Sequence, residues 1–194
     1  MVSKTREKFI EVARQLFARK GVENTTMNDI ASASSKGRRT IYTYFKSKRE
    51  IFNAVIETET DKILSRLRMI VATQESPDRK LREYIAARFE AMKEIVGRNG
   101  SLRAGFFRDI RKVDRAQRII AAKEIALLSE ILDEGISAQI FKIDNVRSQA
   151  ILIIYAIQGL VVPYIRDSLR EDGISQEDIK EKLASMILQG IENK

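Results

Sequence analysis

The sequence predicts an all-α protein of about nine helices, with short ones crowded before residue 48 and longer ones after it. Three observations carry this. Apolar residues recur at spacings of three and four along nearly the whole chain. Helix starts are written at Thr26 with Asp29, at Ser47 with Glu50 and at Ser175 with Asp178, each pair three apart as a capping box requires. No stretch alternates apolar and polar residues as a strand would.

The first helix is expected from about Lys4 to Lys20. Phe9, Ala13, Leu16 and Phe17 mark its apolar side, and Gly21 suits its end. A short helix follows from Thr26, with Ile30 and Ala31 inward. Ser32 to Gly37 is small and polar, as a turn would be. Another short helix is expected from Gly37 to Tyr44, with Ile41 and Phe45 four apart on its inner side. From Ser47 a long helix should run to about Thr73. Pro77 breaks the pattern. The next helix carries Leu81, Tyr84, Ile85, Phe89, Met92 and Ile95, and ends at Gly97 to Gly100. A shorter helix is expected to hold Leu102, Phe106, Ile110 and Val113. Asp114 would then cap one reaching about Gly135, and Asp144 one from Asn145 to Arg170 with a kink at Pro163. The last starts at Ser175, with Ile179, Leu183, Met186 and Ile187 as its stripe.

Composition narrows the chemistry. The chain has 194 residues, a formal net charge of +8, and no cysteine or histidine. The common zinc sites and every Ser-His or Cys-His device are thereby excluded, and no metal or cofactor is expected. Paired carboxylates such as Asp109 and Asp114 lack a supporting polar cluster and read as solvated charges, so an enzyme is not expected. Ala150 to Ile165 is the longest uncharged run; it is shorter than the ~18–20 apolar residues of a spanning helix. The start, MVSKTREKF, has no apolar core for a signal peptide. A cytoplasmic protein without membrane attachment is the expectation.

The excess positive charge concentrates in Ile30 to Arg49. This stretch holds Lys36, Arg38, Arg39, Lys46, Lys48 and Arg49 and no acid, with Thr40, Tyr42, Thr43, Tyr44 and Phe45 between them. A solvated helix face would normally mix in acids. Cations among hydroxyl and phenol groups suit a phosphate backbone. Two short helices joined by a small-residue turn form a helix-turn-helix, whose second helix enters the major groove by its N-terminal end. Arg38 and Arg39 are the base-reading candidates, because a guanidinium bonds bidentately to guanine. Thr40 suits a thymine methyl or a phosphate. Thr26, Tyr42, Tyr44, Lys46 and Lys48 are candidate phosphate contacts, and Lys36 lies in the same patch.

GVENTTMNDIA followed by SKGRRTIYTYFKSKREIF resembles the N-terminal DNA-binding domain of the TetR family of bacterial transcriptional regulators, over about Phe9 to Phe52. One departure is Ser35-Lys36-Gly37, where the family usually has Gly-Val-Ser. The resemblance implies a helix-turn-helix domain over 1–47 and a helical effector-binding and dimerisation domain over 48–194. It also implies a homodimer through the last two helices on a palindromic operator of double-stranded DNA, and repression relieved by a small effector. The helix from Ser47 would transmit the signal. Tyr84, Phe89, Met92, Phe106, Phe107, Leu127, Ile131, Tyr155 and Gln158 are the pocket candidates, with Arg88 as the main charged residue among them. Each taken alone is more readily plain core than pocket lining. A largely apolar effector is expected from this lining. Two other readings are a peripheral membrane protein and a carrier of apolar molecules; neither explains the helix-turn-helix register.

Overall fold

The computed structural model describes residues 4–99 and 110–193. Among these there are eight helices: α1 Lys4–Lys20, α2 Met27–Ala33, α3 Arg38–Tyr44, α4 Lys48–Val71, α5 Pro77–Asn99, α6 Ile110–Ser137, α7 Val146–Arg166 and α8 Gln176–Ile191. No strand occurs among the described residues; an isolated antiparallel bridge pairs Phe141 with Glu192. The chain divides into two compact units. One comprises Met1–Asp61 with Ile95–Ala116, the other Lys62–Glu94 with Gln117–Lys194.

The N-terminal unit is built on an apolar cluster. Phe9, Ile10, Ala13, Leu16 and Phe17 of α1 meet Ile30 and Ala31 of α2, Ile41 and Phe45 at α3, and Ile51, Ala54 and Val55 of α4. Phe9 lies against Tyr44 with ring centroids 5.8 Å apart, and Phe17 against Phe52 at 6.0 Å. Gly21 ends α1 in the left-handed region at φ +84°, its N–H donating to Phe17 O. The start of α4 thus belongs to the packing of this unit. A division at residue 47 marks where a helix begins, whereas the core continues along α4 to Val55.

The second unit buries Ile63, Leu64 and Leu67 of α4 together with Leu81, Tyr84, Ile85, Phe89 and Met92 of α5. Leu127, Leu128, Ile131 and Leu132 of α6 and Ile153, Ile154 and Ile157 of α7 are also buried there. Pro77 is the first residue of α5, where its missing N–H costs no hydrogen bond. Helix α6 is described from Ile110, so Asp114 lies inside it and not at its start. The expected separate helix at Leu102 and Phe106 falls outside the described residues. Asn145, not Asp144, caps α7: its side chain accepts from Ser148 N at 2.8 Å. Helix α7 stops at Arg166, with Asp167 in the left-handed region, and Pro163 sits inside its last turn. With 21 residues, α7 is by length and composition able to cross a membrane, contrary to the expectation drawn from the shorter apolar run within it. Its inner side is buried, but Leu152 and Tyr155 on the other side are 65% and 62% exposed, so this chain alone does not enclose the helix all round.

Gly135 carries a close approach. A Cβ there would stand 1.9 Å from Cδ2 of Phe141, whose ring folds back onto α6. Phe141 is held by its N–H to Gly135 O at 3.0 Å, and the next residue, Lys142, donates to Ile191 O at 2.7 Å.

Candidate nucleic-acid interface and polar centre

The helix-turn-helix is α2, the turn 34–37 and α3. Thr26 caps α2 reciprocally with Asp29: the Asp29 N–H donates to Thr26 Oγ1 at 3.1 Å, and Thr26 N donates to Asp29 Oδ2 at 2.8 Å. Lys20 also bonds Asp29 Oδ2, at 2.8 Å. The Lys20 ammonium first, and then Thr26, hold this carboxyl down at about 2. The turn passes through Ser35 at φ 56°, a left-handed conformation that favours glycine, at the first position of the departure from the family pattern. Gly37 caps α3 at φ −69°, which any residue can adopt, and it offers no side-chain hydrogen bond. Lys36 is exposed, and its N–H donates to Ala31 O at 3.0 Å.

Ile41 and Phe45 anchor α3 in the core. With 3.6 residues per turn, Arg39 and Thr43 then project from the side opposite Ile41, flanked by Tyr42 and Thr40. Lys36, Arg38, Arg39, Tyr42 and Lys46 are exposed; Thr40, Tyr44 and Lys48 are half-buried. Arg38 lies over the Tyr42 ring at 5.9 Å from its centroid, so its guanidinium is drawn along the helix, while Arg39 is exposed. Tyr44 is partly packed against Phe9. Lys48 has another occupation: its ammonium donates to Val22 O at 2.7 Å and Glu23 O at 3.1 Å. It ties the start of α4 to the loop after α1. Glu50 N donates to Ser47 Oγ at 3.3 Å, and the Glu50 carboxylate accepts from Lys46 N at 2.6 Å, one residue further back than the expected capping box.

Two residues of this face escaped the sequence reading. Thr43 is exposed beside Arg39, its hydroxyl donating to Thr40 O at 2.7 Å. Arg6 of α1 lies 5.2 Å from the centroid of the Phe45 ring, adding a cation near the end of α3. Helical spacing carried the signal for Thr43. Nothing local carries one for Arg6, which is far away in sequence.

In the second unit, Tyr84, Arg88, Phe89 and Met92 on α5 and Leu127 and Ile131 on α6 are buried. Gln158 is half-buried, and Tyr155 is exposed on the outer side of α7, apart from the others. Phe106 and Phe107 lie outside the described residues. The centre of this group is polar: Arg88 Nε donates to Glu124 Oε1 at 2.5 Å, and Tyr84 Oη donates to Glu124 O at 3.1 Å. Burial, reinforced by Glu124, pushes the Tyr84 phenol far above its usual range. Glu124 was not foreseen, because nothing in its neighbourhood marks it as the partner of a residue on another helix. Nearby, Tyr164 donates to Glu90, and this bond holds the Glu90 carboxyl below its ordinary range.

Residues 9–55 match the family model of bacterial regulatory proteins of the tetR family. The chain also superimposes, at a TM-score of 0.76 and 25% identity, on a transcriptional regulator from Cytophaga hutchinsonii, covering 96% of this chain and 97% of that one. Residues 9–55 belong to the TetR family. The N-terminal unit carries that family's helix-turn-helix domain, with the α3 face as its exposed cationic surface. Among curated relatives, the chain is 41% identical over 64 residues to the helix-turn-helix regulator YfiR of Bacillus subtilis, covering 33% of this chain and 31% of that protein. It is 32% identical over 93 residues to a probable acrEF/envCD operon repressor of Escherichia coli, covering 47% of this chain and 42% of the relative. The chain therefore spans less than half the length of these curated relatives.

Proposed function

We propose that this protein is a sequence-specific transcriptional repressor that binds a palindromic operator as a homodimer and is released by a small effector. The observation that carries the DNA reading is the face of α3. Arg39 projects opposite the buried Ile41, and among the described residues the side-chain cations of Lys36, Arg38, Arg39 and Lys46 have no carboxylate partner. Cations presented on a rigid helix and unmatched by acids favour phosphate and guanine edges. Arg39 and Thr43 read bases, Arg38 and Tyr42 act together at the edge of the groove, and Lys36 and Lys46 hold phosphates. Lys48 supports the module through its carbonyl bonds instead.

The dimer reading rests on α7 and α8. Leu152, Tyr155, Ala156 and Gly159 make an exposed stripe of apolar and small residues along α7, and Met186 of α8 is 70% exposed. Two helices paired with two from a second copy would cover this surface. The effector reading rests on the mixed apolar and polar interior between α5 and α6. An effector acts only through its different affinity for the DNA-bound and released states, and α4, continuous through both units, offers a covalent route between them.

The test is an anisotropy titration of DNA from upstream of the protein's own gene, beside a scrambled duplex, at several salt concentrations. Tight binding that prefers the native duplex and falls steeply with salt is expected. Arg39→Ala should reduce that preference by about 1–3 kcal/mol at one base position. Equal losses on both duplexes would reject base reading by Arg39, and equal weak binding of a random-sequence library would reject the regulator itself.

A further inference from the structure

We propose that the Arg88–Glu124 pair is the recognition point for the head of a neutral, otherwise apolar small molecule that accepts and donates a hydrogen bond side by side, as a primary carboxamide does. This rests on the effector reading above and gives that effector a chemical class.

The pair is enclosed: Arg88 is 6% exposed and Glu124 0%. One bond, Arg88 Nε to Glu124 Oε1, joins them. Among the described residues, that bond leaves Arg88 Nη1 and Glu124 Oε2 buried without a hydrogen-bond partner. Folds rarely leave such atoms unmatched, because a buried donor or acceptor has lost water and gained nothing. The other enclosed cation of this unit shows the contrast. Lys80 bonds both carboxylate oxygens of Glu134, at 3.0 and 2.7 Å, and Glu134 itself reaches solvent. At Arg88 and Glu124 a donor and an acceptor remain, one on each partner of the ion pair. The Tyr84 hydroxyl, one turn away on α5, is not the missing partner, since it donates to the Glu124 carbonyl and fixes the backbone there.

Charge decides the class. Guanidinium and carboxylate already balance, so an anion or a cation would meet an opposed charge as well as an attractive one. A neutral head with an oxygen for Nη1 and an N–H for Oε2 completes both atoms and disturbs neither charge. Phe89 and Met92, within about one turn of Arg88 along α5, and Leu127, Leu128 and Ile131, within two turns of Glu124 on α6, are buried and apolar, which sets the body of the molecule.

Octanamide and N,N-dimethyloctanamide make the test, because the second has the same carbonyl and no N–H. The full chain is titrated with each while the Arg88 Nε–H signal is followed by NMR, assigned by its loss in Arg88→Lys. A saturable shift with octanamide, and binding of the dimethyl compound about tenfold or more weaker, is the expected result. In the double variant Arg88→Met/Glu124→Leu, which removes both charges and keeps the volume, thermal shifts should no longer separate the two amides. Equal affinity on the unsubstituted chain would overturn the donor–acceptor head and leave an apolar effector standing. No saturable shift with either amide would make the pair a structural ion pair completed by solvent, and would overturn the inference. Octanamide that binds and leaves the DNA complex intact would instead defeat the effector reading while the recognition point survives.

Discussion

The core cluster of the helix-turn-helix and the interior between α5 and α6 are held by different forces. In the first, every member is apolar, from Phe9 to Val55, and the cations lie outside. The second encloses Lys80, Arg88 and Glu124 among its aliphatic side chains. Apolar packing has no preferred partner beyond shape, so it fixes α3 whatever the surface of α3 presents. Enclosed charges demand particular partners and penalise their loss, which ties that interior to a chemical condition. The helix-turn-helix core depends on shape, whereas the interior between α5 and α6 depends on the partners of its enclosed charges.

Substitution separates the two most sharply at their centres. Phe17→Ala should cost about 3–5 kcal/mol in a chemical unfolding midpoint, as a large truncation in a closed apolar core does. Arg88→Met should cost a similar ~3–5 kcal/mol, since Glu124 would be left charged and alone, whereas adding Glu124→Leu should restore most of it. A core set by shape shows no such rescue. If the double variant were as unstable as the single one, the contrast between the units would fail.

Gly135→Ala comes next. The added methyl would overlap the Phe141 ring, and a loss of about 1–3 kcal/mol is expected in thermal unfolding. Restoration by Phe141→Ala in the same chain would show that the ring contact is the cause. The smallest effect has the opposite sign. Ser35→Gly relaxes the left-handed residue of the turn and should stabilise the N-terminal unit by about 0.5–1 kcal/mol, with DNA affinity unchanged. A destabilised variant would mean that the Ser35 side chain holds the turn in a way its backbone angle does not reveal.

What the sequence revealed follows the range of the forces involved. The capping boxes at Thr26 and Ser175 are contacts three residues apart, and both stand as written. Ile41 and Phe45, four apart, face inward because helical periodicity leaves them no other side. The cap of α7 is displaced by one residue, from Asp144 to Asn145, because both side chains can cap and only the backbone path chooses. Glu124 stayed hidden because its partner is on another helix, and no spacing rule links the two. The bonds of Lys48 stayed hidden for the same reason. A lysine in a basic run invites phosphate, and only the folded loop brings the Val22 and Glu23 carbonyls to it.

That lysine has a consequence for covalent chemistry. An amine reacts with acylating agents through the lone pair it exposes on losing a proton. Lys48 is half-buried and its nitrogen is held by two carbonyl oxygens, which leaves a reagent less access to it. Lys36 and Lys46 stand open on the same face. Acetylation or amine-directed labelling of the folded protein would therefore erase charge at Lys36 and Lys46 first and spare Lys48. The exposed cationic face of α3 can be neutralised chemically while the tie beneath it stays intact.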